Sequence, residues 1–253
     1  MDKMRVVQVT DCHLQENADE PFKGLNPEQR LLSTLQQLRS EDADSDLLLL
    51  SGDLVHHGYA SGYQRLQRYT DGMAKEIRWI PGNHDDAVRM REYQTLSQKV
   101  FVQGNWCIIM LDSTAEPDGK GSGALSQTEL DWLAGVVSEH SDKYLLLVLH
   151  HPPVAVGSQW QDSIMLANAE AFWAQLKKYK NLKLIVCGHL HQAHQIEMEQ
   201  VCVLATPATA PQFKVSTVEP EMESDPYLSQ PAYRVIDLLP DGKFTTRVKR
   251  VPV

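Results

Sequence analysis

The 253-residue sequence predicts an α/β fold, with mainly parallel strands in its first two thirds and antiparallel strands in its last third. Three observations predict it. Short apolar runs alternate with amphipathic stretches as far as Cys187, a pattern of strands joined by right-handed crossover helices. Beyond Cys187 the helical pattern stops, and the chain reads as strands linked by short turns. Five successive strands end in Asp, His or Asn, and in parallel sheets ligands gather beyond the carboxyl ends of strands. The length suits a single domain spanning residues 1–253 with a core that buries well over half of the unfolded chain's surface.

Residues 4–10 alternate enough to form the first strand, which runs into Asp11-Cys12-His13. Asn26-Pro27-Glu28-Gln29 opens a helix, with Asn as N-cap, Pro at the first helical position and Gln placed for a capping box. Leu31, Leu35 and Leu38 share its inward face. Residues 47–51 are a continuous apolar run too short for a helix, as in a strand buried on both faces, and they end in Gly52-Asp53. A helix over residues 59–75 leads to a strand over 77–80 and then to Gly82-Asn83-His84-Asp85. Residues 100–102 and 106–112 read as a strand pair, followed by a Gly-rich loop over 118–123. Ser126-Gln127-Thr128-Glu129 is a capping box that opens a helix with Leu130, Leu133 and Val137 inward. Residues 144–149 form a buried strand ending in His150-His151-Pro152-Pro153; residues 168–179 are helical; residues 182–187 form a strand ending in Gly188-His189-Leu190-His191. Residues 195–204, 212–218, 233–239 and 243–248 read as strands, the last two joined by the hairpin signal Asp241-Gly242.

Composition narrows the partners. A formal charge of -9 argues against nucleic acid and anionic membranes, because affinity for a polyphosphate backbone comes from clustered Lys and Arg. If the protein handles phosphate, a local cation must supply the attraction. No secretory core follows Met1 and no apolar run reaches transmembrane length, so a cytoplasmic protein is expected. Cys12, Cys107, Cys187 and Cys202 are widely spread without a Cys-x-x-Cys pair, which predicts reduced, buried thiols.

Taken singly, a strand-end Asp such as Asp11 or Asp53 reads as a helix cap. The ordered set Asp-x-His, Gly-Asp, Gly-Asn-His-Asp, His-x-Pro and Gly-His-x-His, all at strand ends, is far more specific. It resembles the calcineurin-like metallophosphoesterase superfamily, whose motifs are carried by Asp11-Cys12-His13, Gly52-Asp53, Gly82-Asn83-His84-Asp85, His150 and Gly188-His189-Leu190-His191. The resemblance implies a four-layer αββα sandwich of two mixed sheets with a dinuclear metal site at one edge. It also implies that Asp11, His13 and His191 hold one metal, that Asn83, His150 and His189 hold the second, and that Asp53 bridges them. The O and N donors suit Fe, Mn, Zn or Co, with Fe and Mn favoured, and the lack of thiolate argues against a structural zinc site. Two divalent ions roughly 3.5–4 Å apart convert a shared water to hydroxide near neutral pH and clamp the phosphate it attacks. His84 matches the family's non-ligand His and is the expected catalytic residue, protonating the leaving oxygen with Asp85 orienting its ring. His13, Asp53, Asn83, His84 and His191 are expected to meet the substrate.

Over its whole length the chain is similar to the bacterial class III cyclic-nucleotide phosphodiesterases. Gly24-Leu25-Asn26, Gly123-Ala124-Leu125-Ser126 with Trp132-Leu133, and residues 204–209 leading into Gln212-Phe213-Lys214 carry that similarity. It implies hydrolysis of 3',5'-cyclic AMP to 5'-AMP by attack of a metal-bound hydroxide. Another small diester, such as a glycerophosphodiester or a 2',3'-cyclic nucleotide, is the enzymatic alternative, because the metal motifs do not encode the alcohol. A scaffold of the same fold that has lost the chemistry is the non-enzymatic one; it should show replaced ligands, and none is replaced. Residues 206–213 are either a nucleoside pocket or a core turn. His56 and His57 read as a helix-starting or exposed pair, His194 as an edge-strand residue and His140 as part of a polar turn, while His151 is either behind the ligands or facing solvent.

Overall fold

The structure, a computed structural model, describes residues 3–253. Two mixed sheets stand face to face. The first has the order β11-β10-β1-β2-β3, formed by β1 (Met4–Val9), β2 (Leu47–Ser51), β3 (Glu76–Ile80), β10 (Ala232–Leu238) and β11 (Phe244–Arg250). The second has the order β4-β5-β6-β7-β9-β8, formed by β4 (Val100–Gln103), β5 (Trp106–Met110), β6 (Tyr144–Val148), β7 (Leu182–Cys187), β8 (His194–Met198) and β9 (Val201–Ala205). β1, β2 and β3 are parallel, and β10 runs antiparallel to β1 with Met4 opposite Leu238. In the second sheet β5, β6, β7 and β9 are parallel, with β4 and β8 antiparallel at the edges.

Strand alternation sorts the core into three sheets of contact. Leu48 and Leu50 face Leu31, Leu35 and Leu38 of α1 (Pro27–Glu41) and Tyr63 and Leu66 of α2 (Ala60–Thr70). Leu47 and Leu49, on the other side of the same strand, meet Ile108, Leu146 and Leu184 of the second sheet. The far side of that sheet packs Ile109, Leu147 and Ile185 against Leu133 and Val137 of α4 (Gln127–Glu139) and Phe172 of α6 (Ala169–Leu176). Because side chains alternate along a strand, continuous apolar runs such as residues 47–50 serve two cores at once. The result is the helix-sheet-sheet-helix sandwich.

Most elements lie where the sequence places them. Asn26 caps α1 by accepting from Gln29 N at 2.9 Å, and Ser126 caps α4 by accepting from Glu129 N at 3.1 Å. Four expectations are corrected. The helix expected over 59–75 ends at Thr70, because Gly72 at φ 68° turns the chain. The strand expected over 195–204 is the β8–β9 hairpin, reversing at Glu199, whose φ is 54°. β9 also runs parallel to β7, so the last third is not wholly antiparallel. Residues 212–218 form no strand; Phe213 makes one isolated bridge to Met222, and the segment is tied down by Gln159 N donating to Thr217 O at 3.1 Å. Two helices of five and four residues, α3 (Ala87–Arg91) and α5 (Gln159–Asp162), are too short to show a helical period. The four cysteines are free and buried. Among the described residues no helix is long and apolar enough to cross a membrane.

Candidate dinuclear metal centre

The loops leaving β1, β2, β6 and β7 bring six of the seven expected ligands into two adjoining groups, and the loop leaving β3 places the seventh, Asn83, in the cavity above them. In one, Asp11, His13 and His191 place ligand atoms within 4.8 Å of one another; in the other, Asp53, His150 and His189 do the same. Within the first, His191 Nε2 lies 3.1 Å from His13 Nε2 and 3.4 Å from Asp11 Oδ1. Within the second, His189 Nδ1 lies 3.2 Å from His150 Nε2. Asp53 stands at the junction, its Oδ2 3.7 Å from His13 Nε2 and 3.4 Å from His150 Nε2. Its Oδ1 is taken by the His84 backbone N–H at 2.9 Å, which leaves Oδ2 for both groups.

The backbone is bent hard to achieve this. Asp11 (φ 52°), His13 (47°), Asp53 (51°), His189 (71°) and His191 (55°) all occupy the left-handed region that non-glycine residues avoid. Cross-ties hold them there: Asp11 N donates to Gly52 O at 3.0 Å, His13 N to Asp53 O at 2.9 Å, and His189 N to Asp11 Oδ2 at 3.0 Å. Two motif glycines are sterically required. A Cβ on Gly82 would collide with Asp53 and stand 2.8 Å from His150 Nε2, and one on Gly188 would stand 2.7 Å from Asp11 Oδ2.

Hydrogen bonds aim the rings. His150 Nδ1 donates to Ser51 O at 2.9 Å and His191 Nδ1 donates to Pro211 O, so each turns its Nε2 inward. Burial drives the pKa values of His13 and His189 well below the ordinary value, keeping both rings neutral. Burial also opposes charge on His150, but the adjacent Asp53 carboxylate outweighs it and raises the pKa to about 9. Burial would likewise raise Asp53, yet the His150 charge and hydrogen bond hold that carboxyl well below its usual range. Asn83 Oδ1 is buried without a hydrogen-bond partner, an arrangement that costs stability unless something else satisfies it. Two neighbouring sets of O and N donors, inward-facing ring nitrogens and an orphaned buried acceptor fit two divalent cations.

His84 shares the cavity with these groups, its ring stacked 4.4 Å from His56 and edge-on to His13 at 5.0 Å, and burial lowers its pKa. Asp85 does not orient that ring. Its carboxylate accepts instead from Leu54 N, Val55 N, Gly82 N and the Tyr63 hydroxyl, at 2.9–3.1 Å, stapling the loop after β2 to the loop after β3. His56 and His57 begin a 3-10 turn, His56–Gly58; His57 is exposed, whereas half-buried His56 places Nδ1 3.3 Å from His13 Nδ1. His151 is buried behind the second group. Its Nδ1 is 2.8 Å from Ser113 Oγ and its Nε2 donates to Gly121 O at 3.1 Å, which pins the Gly-rich loop. His194 begins the edge strand β8, His140 caps the end of α4, and Cys12 lies in the core.

The cavity over the two groups measures about 240 Å³. His13, Asp53, Asn83, His84 and His191, the residues expected to meet substrate, all line it. So do Phe22, Lys23, Lys120 and Trp160, which sequence reasoning missed because they lie in loops and a short helix without periodicity. Residues 206–212 are a buried core turn, and only Phe213 reaches the cavity from that stretch.

A family model described as calcineurin-like phosphoesterase matches residues 4–193. The chain is 32% identical to a 3',5'-cyclic-nucleotide phosphodiesterase of a Nostoc species over 98% of its own length and 92% of the relative's. It is 30% identical to the 3',5'-cyclic adenosine monophosphate phosphodiesterase CpdA of Escherichia coli over 98% of this chain and 90% of that one. Among solved structures it superposes on a dimetal phosphatase from Danio rerio with a TM-score of 0.64, covering 99% and 100% of the two chains at 12% identity.

Proposed function

This chain belongs to the calcineurin-like phosphoesterase family, whose fold implies a dinuclear divalent-metal centre, and from that premise we propose that it hydrolyses 3',5'-cyclic AMP to 5'-AMP. The proposal takes residues 1–253 as one domain, supported by β10 closing the sheet that β1 begins. It places Asp11, His13 and His191 on one ion, Asn83, His150 and His189 on the second, and Asp53 on both. Iron and manganese suit the donors. The four free, buried thiols favour a reducing, cytoplasmic setting. When bound, the ions lower the pKa of water and neutralise phosphate charge.

The chain's own side chains do the rest. Asp53 Oδ2, between the two groups, holds like charges together. His84 faces the cavity close to His13, where an entering phosphate adds negative charge beside the ring and raises its pKa. As the bond from water oxygen to phosphorus forms and the bond from phosphorus to O3' breaks, His84 supplies the proton that O3' needs. His56, stacked on His84 and touching His13, holds both rings in register.

The observation that carries this reading is the junction position of Asp53 between two buried donor groups under a single cavity. The relatives named for cyclic nucleotides support the choice of substrate. Product identification with protein loaded with Mn or Fe tests it, on cyclic AMP, cyclic GMP, a 2',3'-cyclic nucleotide and glycerophosphodiesters. The expected product is 5'-AMP; cleavage of a generic aryl diester with cyclic AMP untouched would remove the substrate assignment and leave the hydrolase.

A further inference from the structure

One wall of the cavity takes no part in holding metal or moving protons. Phe22 stacks on His13 with centroids 4.4 Å apart and 13° between the planes. Phe213 leans on His191 at 5.0 Å, and Trp160 meets Phe213 edge-on at 5.0 Å. The Lys23 ammonium lies 5.5 Å from the centroids of both phenylalanines. None of these aromatic rings belongs to, or packs against, the three cores.

The wall is also built to stay in place. Phe22 and Leu25 exchange both backbone hydrogen bonds, at 2.8 and 3.1 Å, which closes a tight turn with Lys23 at φ 49°. On the other side, Trp160 Nε1 donates to Thr217 Oγ1 at 3.0 Å, so α5 and the segment after Phe213 support each other. Two segments far apart in the chain therefore present aromatic faces on either side of one cation, next to the proposed phosphate site. A planar ring with an anion attached matches that chemistry: every nucleobase has a π-face that stacks on an aromatic side chain, and an ammonium near aromatic rings is attracted by both rings and anion.

We propose that Phe22 and Phe213, with Lys23 between them, form the lip that binds the nucleobase of the substrate and so selects nucleotides over diesters of aliphatic alcohols. The inference rests on the cyclic-nucleotide reading above and adds the residues that recognise the base. Lys23 and Lys120 are the ammonium groups lining the cavity, and on a chain of charge -9 they draw the phosphate in.

Calorimetric titration of the Mn-loaded protein with 5'-AMP and with ribose 5-phosphate isolates the base, since both carry the same sugar phosphate. The intact protein should prefer 5'-AMP by about tenfold or more, the scale of one stacking contact. Phe213→Ala and, independently, Phe22→Ala should each erase most of that preference by weakening 5'-AMP alone, and Phe213→Tyr should keep it. Equal affinity of the intact protein for the two ligands would overturn the proposal, as would equal weakening of both ligands in both alanine variants. If the preference behaves as expected while cyclic AMP is not cleaved, the lip stands and the substrate reading falls.

Discussion

The two donor groups look alike in composition but are supported differently. His191 is aimed by Pro211 O, part of the long connection after β9, and His13 by the side chain of His56 in a 3-10 turn. In the second group His150 is aimed by Ser51 O, the last residue of a fully buried strand, and His151 closes the space behind it. One group leans on a buried turn and on the His56 ring beside the cavity; the other leans on the sheet. The difference teaches that a metal pair can be symmetric in ligands and asymmetric in rigidity, so that the proposed ion at Asp11, His13 and His191 should exchange more readily.

The largest test removes the residue the groups share. Asp53→Ala should leave metal-dependent turnover undetectable and metal content well below that of the intact protein; normal activity would break the bridged arrangement. Next, His84→Ala should retain both ions by elemental analysis while cyclic AMP turnover falls by about 10²–10⁴, the range for a lost proton donor. A nitrophenyl diester, whose leaving group needs no proton, should suffer much less; equal loss on both substrates would deny His84 that role. A smaller effect probes the asymmetry itself. His56→Ala should weaken one of the two ions by about 10- to 100-fold, the usual cost of removing a group that orients a ligand, and leave the other unchanged. Last, graded chelation should withdraw one ion before the other, the resistant ion being lost in His150→Ala; simultaneous release would show that the two supports are equivalent.

The site was more legible in the sequence than the cavity it serves. Each ligand follows an apolar run, so strand ends marked Asp11, Asp53, Asn83, His150 and His189 without knowledge of pairing. Local signals also sufficed for the caps at Asn26 and Ser126. What needed three dimensions was lost: Phe22 and Trp160 meet the site only because the turn before α1 and the four-residue α5 arrive there. The stretch 212–218, rich enough in Val and Phe to suggest a strand, has only the Phe213–Met222 bridge to pair with. His151 was undecidable by pattern, since only Gly121 O and Ser113 Oγ reveal that it faces inward. Asp85 was misjudged because its four donors come from segments that meet only in the fold.

The pairing of β1 with β10 bears on how the chain comes off the ribosome. Residues 4–8 lie beside residues 234–238, so β1 is made long before its partner on that side. Until then β1 has β2 on one side and an open edge on the other, and such edges invite pairing with the wrong chain. All seven proposed ligands are synthesised by His191, yet the sheet that carries Asp11 waits for the following segment. Contacts this distant in sequence form slowly. Between the synthesis of His191 and that of β10, the sheet that carries Asp11 therefore has an unpaired edge.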